Sequence, residues 1–387
     1  MTAVRKSSGK KLKIRFDETA PSSLAGEYMR RFWQPICIAD ELKPKRAKPI
    51  RALGESFTLY RGESGQVYLT EFRCPHRGVQ LSVGWIEGED IRCLYHGWKF
   101  RSDGQCVEQP GEPGEGFAHK VAIRTYPVKE YLGLVFGYFG PGEPPPLPRY
   151  SIFENGDPID QMMYVRDCNY FQNIENGVDE VHVNFTHDYT SFRASGLNDE
   201  VPRIEAEEKP YGLVEYAHRS GNRVRETHFL MPNILFLKLP PDHPEESGWS
   251  DYVSWRVPID DHVHMAFVIQ RRGLSKEGLE KVKKARAASA ERLKKLEPWR
   301  DIAKKILAGE LVMEDAVGRD DVVGIQDYVT QVGQGVVADR VNERLGQSDR
   351  AIILVRKLWE REIRLMASGK PLTQWQVPKG LASTIGL

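Results

Sequence analysis

Apolar residues recur in short alternating runs from position 32 to about position 139, interrupted often by turn residues. Residues 32–38, Phe-Trp-Gln-Pro-Ile-Cys-Ile, form one β-rich run. Residues 57–61 and 66–70 flank Gly62-Glu63-Ser64-Gly65, which predicts a hairpin. Residues 98–100 and 106–107 face each other across Ser102-Asp103-Gly104-Gln105, and 121–128 and 131–139 supply two more strands. Short strands with frequent turns predict a small all-β sandwich or barrel. The proline-rich run 140–148 reads as a stiff, extended linker.

Beyond the linker the pattern is mixed. Residues 213–216, 224–230, 234–239, 252–257 and 263–270 alternate as strands of one antiparallel sheet. Residues 276–308 are charged and amphipathic, with Leu279, Val282, Ala285, Leu293 and Leu296 on one helical face and Pro298 breaking or restarting the helix. Ser348-Asp349 resembles an N-cap opening a last helix to about Met366. The pattern divides the chain into 1–31 (a tail and lead-in helix), an all-β domain over 32–145 and a larger α+β domain over 146–387.

Composition narrows the class of protein. With 387 residues there is enough chain for two cores, and 40% hydrophobic with 28% charged residues describes a soluble globular protein. A net charge of +1 gives no case for nucleic acid or a membrane surface, and no apolar run reaches the length of a spanning helix. The basic start of the chain lacks the apolar core of a signal peptide. Five cysteines, sparse and odd in number, do not make a disulfide framework and fit a reducing cytoplasm.

Two of those cysteines carry the chemistry. Cys74-Pro75-His76-Arg77-Gly78 and Cys93-Leu94-Tyr95-His96-Gly97 are a C-x-H and a C-x-x-H pair. Two thiolates and two imidazoles can hold tetrahedral zinc, or a two-iron cluster with both cysteines on one iron and both histidines on the other. Zinc fingers pair Cys with Cys and His with His, whereas here each loop carries one of each, an interleaving that suits a cluster. A second set lies downstream, where Asp179, His182 and His187 form D-x-x-H-x-x-x-x-H. On a straight helix His187 lies about 140° from His182, so the helix is expected to end or distort between them. Two histidines and a carboxylate with open positions form the facial triad of non-haem Fe(II) oxygenases.

The phrases C-P-H-R-G and C-x-Y-H-G-W-x-F resemble the cluster-binding signature of Rieske non-haem iron oxygenases. Asn176 to His187 resembles the mononuclear-iron signature of their α subunits, and residues 168–179 resemble the phthalate-dioxygenase-type branch, though Tyr170 stands where Trp is common. The resemblance implies an N-terminal Rieske domain and a C-terminal helix-grip (START-like) catalytic domain. It implies a [2Fe-2S] cluster on Cys74, His76, Cys93 and His96, and a mononuclear Fe(II) on His182 and His187. The third ligand it implies is the acid opening the last helix, Asp349, with Asp327 as second choice.

Asn176 is then a polar neighbour of the iron, and Asp179 a bridge carrying electrons from His96 of an adjoining subunit in a head-to-tail homotrimer. Arg77 and Trp98 belong to the cluster's surroundings. Dioxygen is the co-substrate, and NAD(P)H electrons arrive through a separate reductase or ferredoxin. The implied activity is hydroxylation of a small aromatic or polycyclic substrate, by ring dihydroxylation, monohydroxylation or demethylation. The pocket is expected around Phe171, Phe185, Phe192 and residues 230–236 and 253–267. The competing function is a Rieske electron carrier without oxygenase chemistry, and a structural zinc protein is the third.

Overall fold

The computed structural model describes residues 14–114, 116–188, 190–241, 248–378 and 385–386. Before the linker, three small antiparallel sheets build the first domain. Glu55–Arg61 pairs with Val67–Glu71 as the hairpin pattern predicts, and Arg46–Ala52 extends the same sheet. The cluster loops belong to a separate sheet of Trp85–Glu87, Asp90–Arg92, Lys99–Phe100 and Cys106–Glu108. The runs expected over 121–128 and 131–139 are shorter than their apolar pattern. The chain kinks after Thr125–Tyr126 and turns back through Leu132 and Gly133, both at positive φ, between Val128–Tyr131 and Leu134–Gly137.

The second domain is a twisted antiparallel sheet in the order Ile159–Arg166, His264–Arg271, Ser250–Pro258, Ile234–Leu239, Val224–Leu230, Gly212–His218, Arg203–Lys209. Successive strand residues point to opposite faces, and both faces are covered. Trp255 turns toward the first domain, meeting Phe136 at 5.6 Å and Tyr150 at 6.0 Å between ring centroids. Its neighbour Arg256 turns the other way, donating from Nε to Asn173 Oδ1 at 2.9 Å on the helix Tyr170–Gly177. The sheet therefore presents one face to the first domain and the other to the helix Tyr170–Gly177.

The helix expected over 276–308 is two, Lys276–Leu293 and Trp299–Leu307, the second starting at Pro298 as the missing amide predicts. The last helix, Arg350–Ala367, buries Ala351, Ile352, Val355, Leu358, Trp359 and Ile363, spaced three and four apart as one face requires. Trp359 is fully buried, rings of Tyr28, Tyr170 and Phe171 surround it, and its indole N–H donates to Pro232 O at 3.0 Å. No described helix is long and apolar enough to cross a membrane.

Because Trp359 joins the last helix, the lead-in helix Leu24–Met29 and the helix Tyr170–Gly177, its truncation leaves a cavity shared by all three. Trp359→Ala should cost about 3–5 kcal/mol, read as a lower urea midpoint with an unchanged denaturant slope.

Candidate metal centres

The two Cys-His loops are built alike. In the first, Gly78 N–H donates to Cys74 O at 2.9 Å and Cys74 N–H to Val79 O at 2.8 Å. In the second, Gly97 N–H donates to Cys93 O at 3.1 Å and Cys93 N–H to Trp98 O at 2.8 Å. Each loop closes on a glycine at positive φ, 77° at Gly78 and 74° at Gly97, a conformation that a side chain would strain. Matched turns place Cys74 and Cys93 side by side and buried, and His76 and His96 side by side and exposed, their ring centroids 4.5 Å apart. Trp98 stacks on His76 at 4.5 Å, and Arg77 lies 5.3 Å from the ring of Tyr95.

The Cys74 thiol is pushed up to about 12, first by burial and then by the neighbouring Cys93, so a metal must displace its proton. A single zinc would gather all four donor atoms around one point. Among the described residues one group alone gathers three or more donors that way, and it is not this one. Thiols paired on one side and imidazoles on the other fit two irons.

That one group is His182, His187 and Asp327, whose ligand atoms all lie within 4.8 Å of one another. The helix does end between the histidines. Tyr170–Gly177 stops, the chain breaks at Val178-Asp179-Glu180, and Val181–Thr186 is a single short helix with His187 as its C-cap. The two rings come to 5.3 Å. His182 Nδ1 meets the Asp179 carbonyl, and His187 Nδ1 lies 2.9 Å from Gln326 Oε1. These acceptors assign the proton of each ring to Nδ1 and turn Nε2 toward Asp327. Asp327 Oδ1 is buried, 3.4 Å from His187 Nε2, and has no hydrogen-bond partner. Burial pushes the Asp327 carboxyl up, but His187 and the Arg166 guanidinium outweigh it and hold it at about 2. An anionic, orphaned oxygen facing two imidazole nitrogens suits a divalent cation.

The expectation of Asp349 as third ligand is corrected by this geometry. Asp349 precedes the last helix, and its Oδ2 accepts from Gly346 N–H at 2.6 Å, closing the turn into that helix. The pattern at Ser348-Asp349 marks the start of the last helix. Asp327 instead sits within the helix Val322–Val332. Gln172 ties that helix to the helix Tyr170–Gly177, its amide donating to Gln331 O and Gly335 O at 2.7 and 2.9 Å and accepting from Ala338 N–H at 3.0 Å.

Asp179 occupies the break rather than a helix face. Its Oδ1 accepts from Val181 N–H at 3.0 Å and His182 N–H at 3.3 Å, so the carboxylate starts the short helix while the carbonyl steadies the imidazole. Asn176 is half-buried in the last turn of the preceding helix, next to the break. Of the apolar residues expected at a pocket, Phe192 stacks on His187 at 5.2 Å. Phe171 is instead core, stacked on Phe16, and Phe185 is 71% exposed.

Sequence reasoning missed the groups that hold this break. Glu180 is buried, with Oε1 2.9 Å from Arg219 Nη2 and Oε2 against Arg225 Nη1. Glu215, also buried, accepts from Glu180 N–H at 3.3 Å. Burial, then the charges of Glu180 and Asp179, push the Glu215 carboxyl well above its ordinary range, which favours its protonated form. The arginines lie 39 and 45 residues from Glu180, and no local pattern announces such a pairing.

Comparison with known proteins places the cluster loops within a known domain. The Rieske [2Fe-2S] domain profile matches residues 32–127. The oxygenase subunit of 5,5'-dehydrodivanillate O-demethylase from Sphingobium sp. is 30% identical over 359 residues, covering 90% of this chain and 79% of that protein. The α subunit of phenoxybenzoate dioxygenase from Ectopseudomonas oleovorans is 31% identical, covering 90% and 84%. The phthalate 4,5-dioxygenase oxygenase subunit of Pseudomonas putida is 28% identical, covering 86% and 81%. Among solved structures, NdmA of Pseudomonas putida CBB5 with caffeine superposes with a TM-score of 0.66 over 88% of this chain and 93% of that one, at 20% identity, a likeness of fold.

The buried cluster behind the break yields contrasting outcomes. Glu180→Gln strands two buried guanidiniums and should cost about 3–5 kcal/mol. Glu215→Gln fixes the uncharged form that burial favours. In the native protein Glu215 keeps its proton above the unfolded value of about 4.3, so its contribution to stability is present below that pH and lost as pH rises. Urea unfolding should therefore show Glu215→Gln gaining on the native protein between pH 5 and pH 8, while Glu180→Gln stays destabilised at both.

Proposed function

The chain belongs to the oxygenase subunits of the Rieske non-haem iron oxygenases, and we propose that it hydroxylates a small aromatic substrate in the cytoplasm with electrons from a separate reductase or ferredoxin. One observation carries this reading. The same chain presents a paired-donor cluster site in its first domain and a two-histidine, one-carboxylate site in its second. An electron carrier has use for the first alone.

Cys74, His76, Cys93 and His96 would hold the cluster, and His182, His187 and Asp327 the mononuclear iron. When bound, the cluster supplies single electrons and the ferrous ion a place for dioxygen beside the substrate. The chain's own residues do the rest. Gln326 and the Asp179 carbonyl orient the imidazoles, and Phe192 covers one face of His187. Beside the exposed His96 on the same loop lie Leu94 and Tyr95, each more than 40% exposed. An apolar rim of this kind suits docking against another protein surface. A second subunit in a homotrimer is the reading we favour, with His96 delivering electrons toward Asp179 of its neighbour.

The relatives named above include an O-demethylase and ring dioxygenases. Both outcomes use the same two centres and differ in which substrate carbon is held nearest the metal. A screen of aromatic and methoxylated acids with a surrogate reductase, scoring oxygen uptake against product and released formaldehyde, tests the assignment; oxygen uptake coupled to no aromatic product would reject it.

The bridge has its own test. Asn at position 179 keeps an oxygen for the Val181 and His182 amides but loses the charge. Asp179→Asn should keep both metals yet lower coupled turnover by about 10–100-fold. Turnover near the native rate would remove Asp179 from the electron path.

A further inference from the structure

The two oxygens of Asp327 have been given different tasks. Oδ1 is the buried, unpartnered atom that faces the histidines. Oδ2 lies 3.1 Å from Nη2 of Arg166. The other arm of the same guanidinium, Nη1, donates to Gly324 O at 2.7 Å. Gly324 and Asp327 are three residues apart in the helix Val322–Val332, so one rigid fork spans a helical turn and fixes the carboxylate's rotation.

The fork is itself immobilised. Arg166 is the last residue of the sheet's edge strand, pairs with His264 in register, and is 4% exposed. Its guanidinium lies 5.0 Å from the ring of Tyr164 and 5.9 Å from that of Trp299. A buried arginine spent on one oxygen of one carboxylate and one backbone carbonyl is a costly arrangement if its purpose is stability alone.

A free carboxylate can approach a metal through one oxygen or both. With Oδ2 bonded to a guanidinium, one oxygen remains. We infer that Arg166 is a positioning residue that restricts Asp327 to one-oxygen metal binding and thereby keeps a coordination position open for a small exogenous ligand. The inference rests on the mononuclear-iron reading of this site. It also fixes the sign of two effects. Removing Arg166 frees Oδ2 to bind the metal and takes away a nearby cation, so iron should be held as tightly or more tightly, while the added ligand should bind more weakly.

The probe is nitric oxide, titrated into the ferrous holoprotein with the cluster oxidised, the iron–nitrosyl signal read by EPR and iron content measured in parallel. Arg166→Met should retain its mononuclear iron and need at least about tenfold more nitric oxide to develop the signal. Arg166→Lys, which keeps the charge but makes a single-point contact, should fall between it and the native protein. An unchanged titration in Arg166→Met overturns the inference, as does loss of iron from the folded variant. If Arg166→Met does not fold, the lysine variant decides by the same two readings. A native protein that takes up no iron beyond its cluster would instead defeat the mononuclear-iron reading itself.

Discussion

Two buried arginines closing on Glu180 hold the place where the chain stops being one helix and becomes two. Without that break the segment carrying both histidines would continue the line of the helix Tyr170–Gly177. With it, the first histidine opens a short helix, the second ends it, and both rings meet the same point. A pair of buried cations on one carboxylate is expensive to assemble and more expensive to leave half-made. That asymmetry makes the break rigid. The Asp179 carboxylate then starts the short helix, and Glu215, its protonated form favoured by burial, accepts the Glu180 amide.

The sheet turns this local device into a two-centre protein. Alternation along Ser250–Pro258 sends Trp255 to the cluster-bearing domain and Arg256 to the helix Tyr170–Gly177. One strand thus fixes the positions of both halves. Gln172 fastens the helix that carries Asp327 to the helix preceding the break, so the third donor is set by packing and hydrogen bonds across more than 150 residues of chain.

These features also explain what could be read without coordinates. The cluster loops were legible because their chemistry is local: a cysteine, a histidine and a glycine within five residues of one turn. Both strand alternation and the proline at position 298 are short-range signals, and they placed most elements. The need for a helix end between His182 and His187 followed from geometry alone. Asp327 could not be ranked above Asp349 because its role depends on Arg166, which reaches it across 161 residues of chain, and on Gln172, which holds its helix through tertiary contacts. Asp349 had the stronger local signal, a helix start, and that is the role it fills. Phe171 lies in the core and Phe185 at the surface, a difference their hydrophobicity could not show, since it does not say which face of a short helix is covered.

The account stands on two separate iron centres in one chain, the second closed by Asp327. Iron and acid-labile sulfide analysis with EPR on the native protein, Asp327→Ala and Asp349→Ala tests it directly. The native protein and Asp349→Ala should hold about three irons and two sulfides per chain. Asp327→Ala should keep the cluster signal and both sulfides but fall to about two irons. A full iron complement in Asp327→Ala, or loss of one iron in Asp349→Ala, would contradict the assignment.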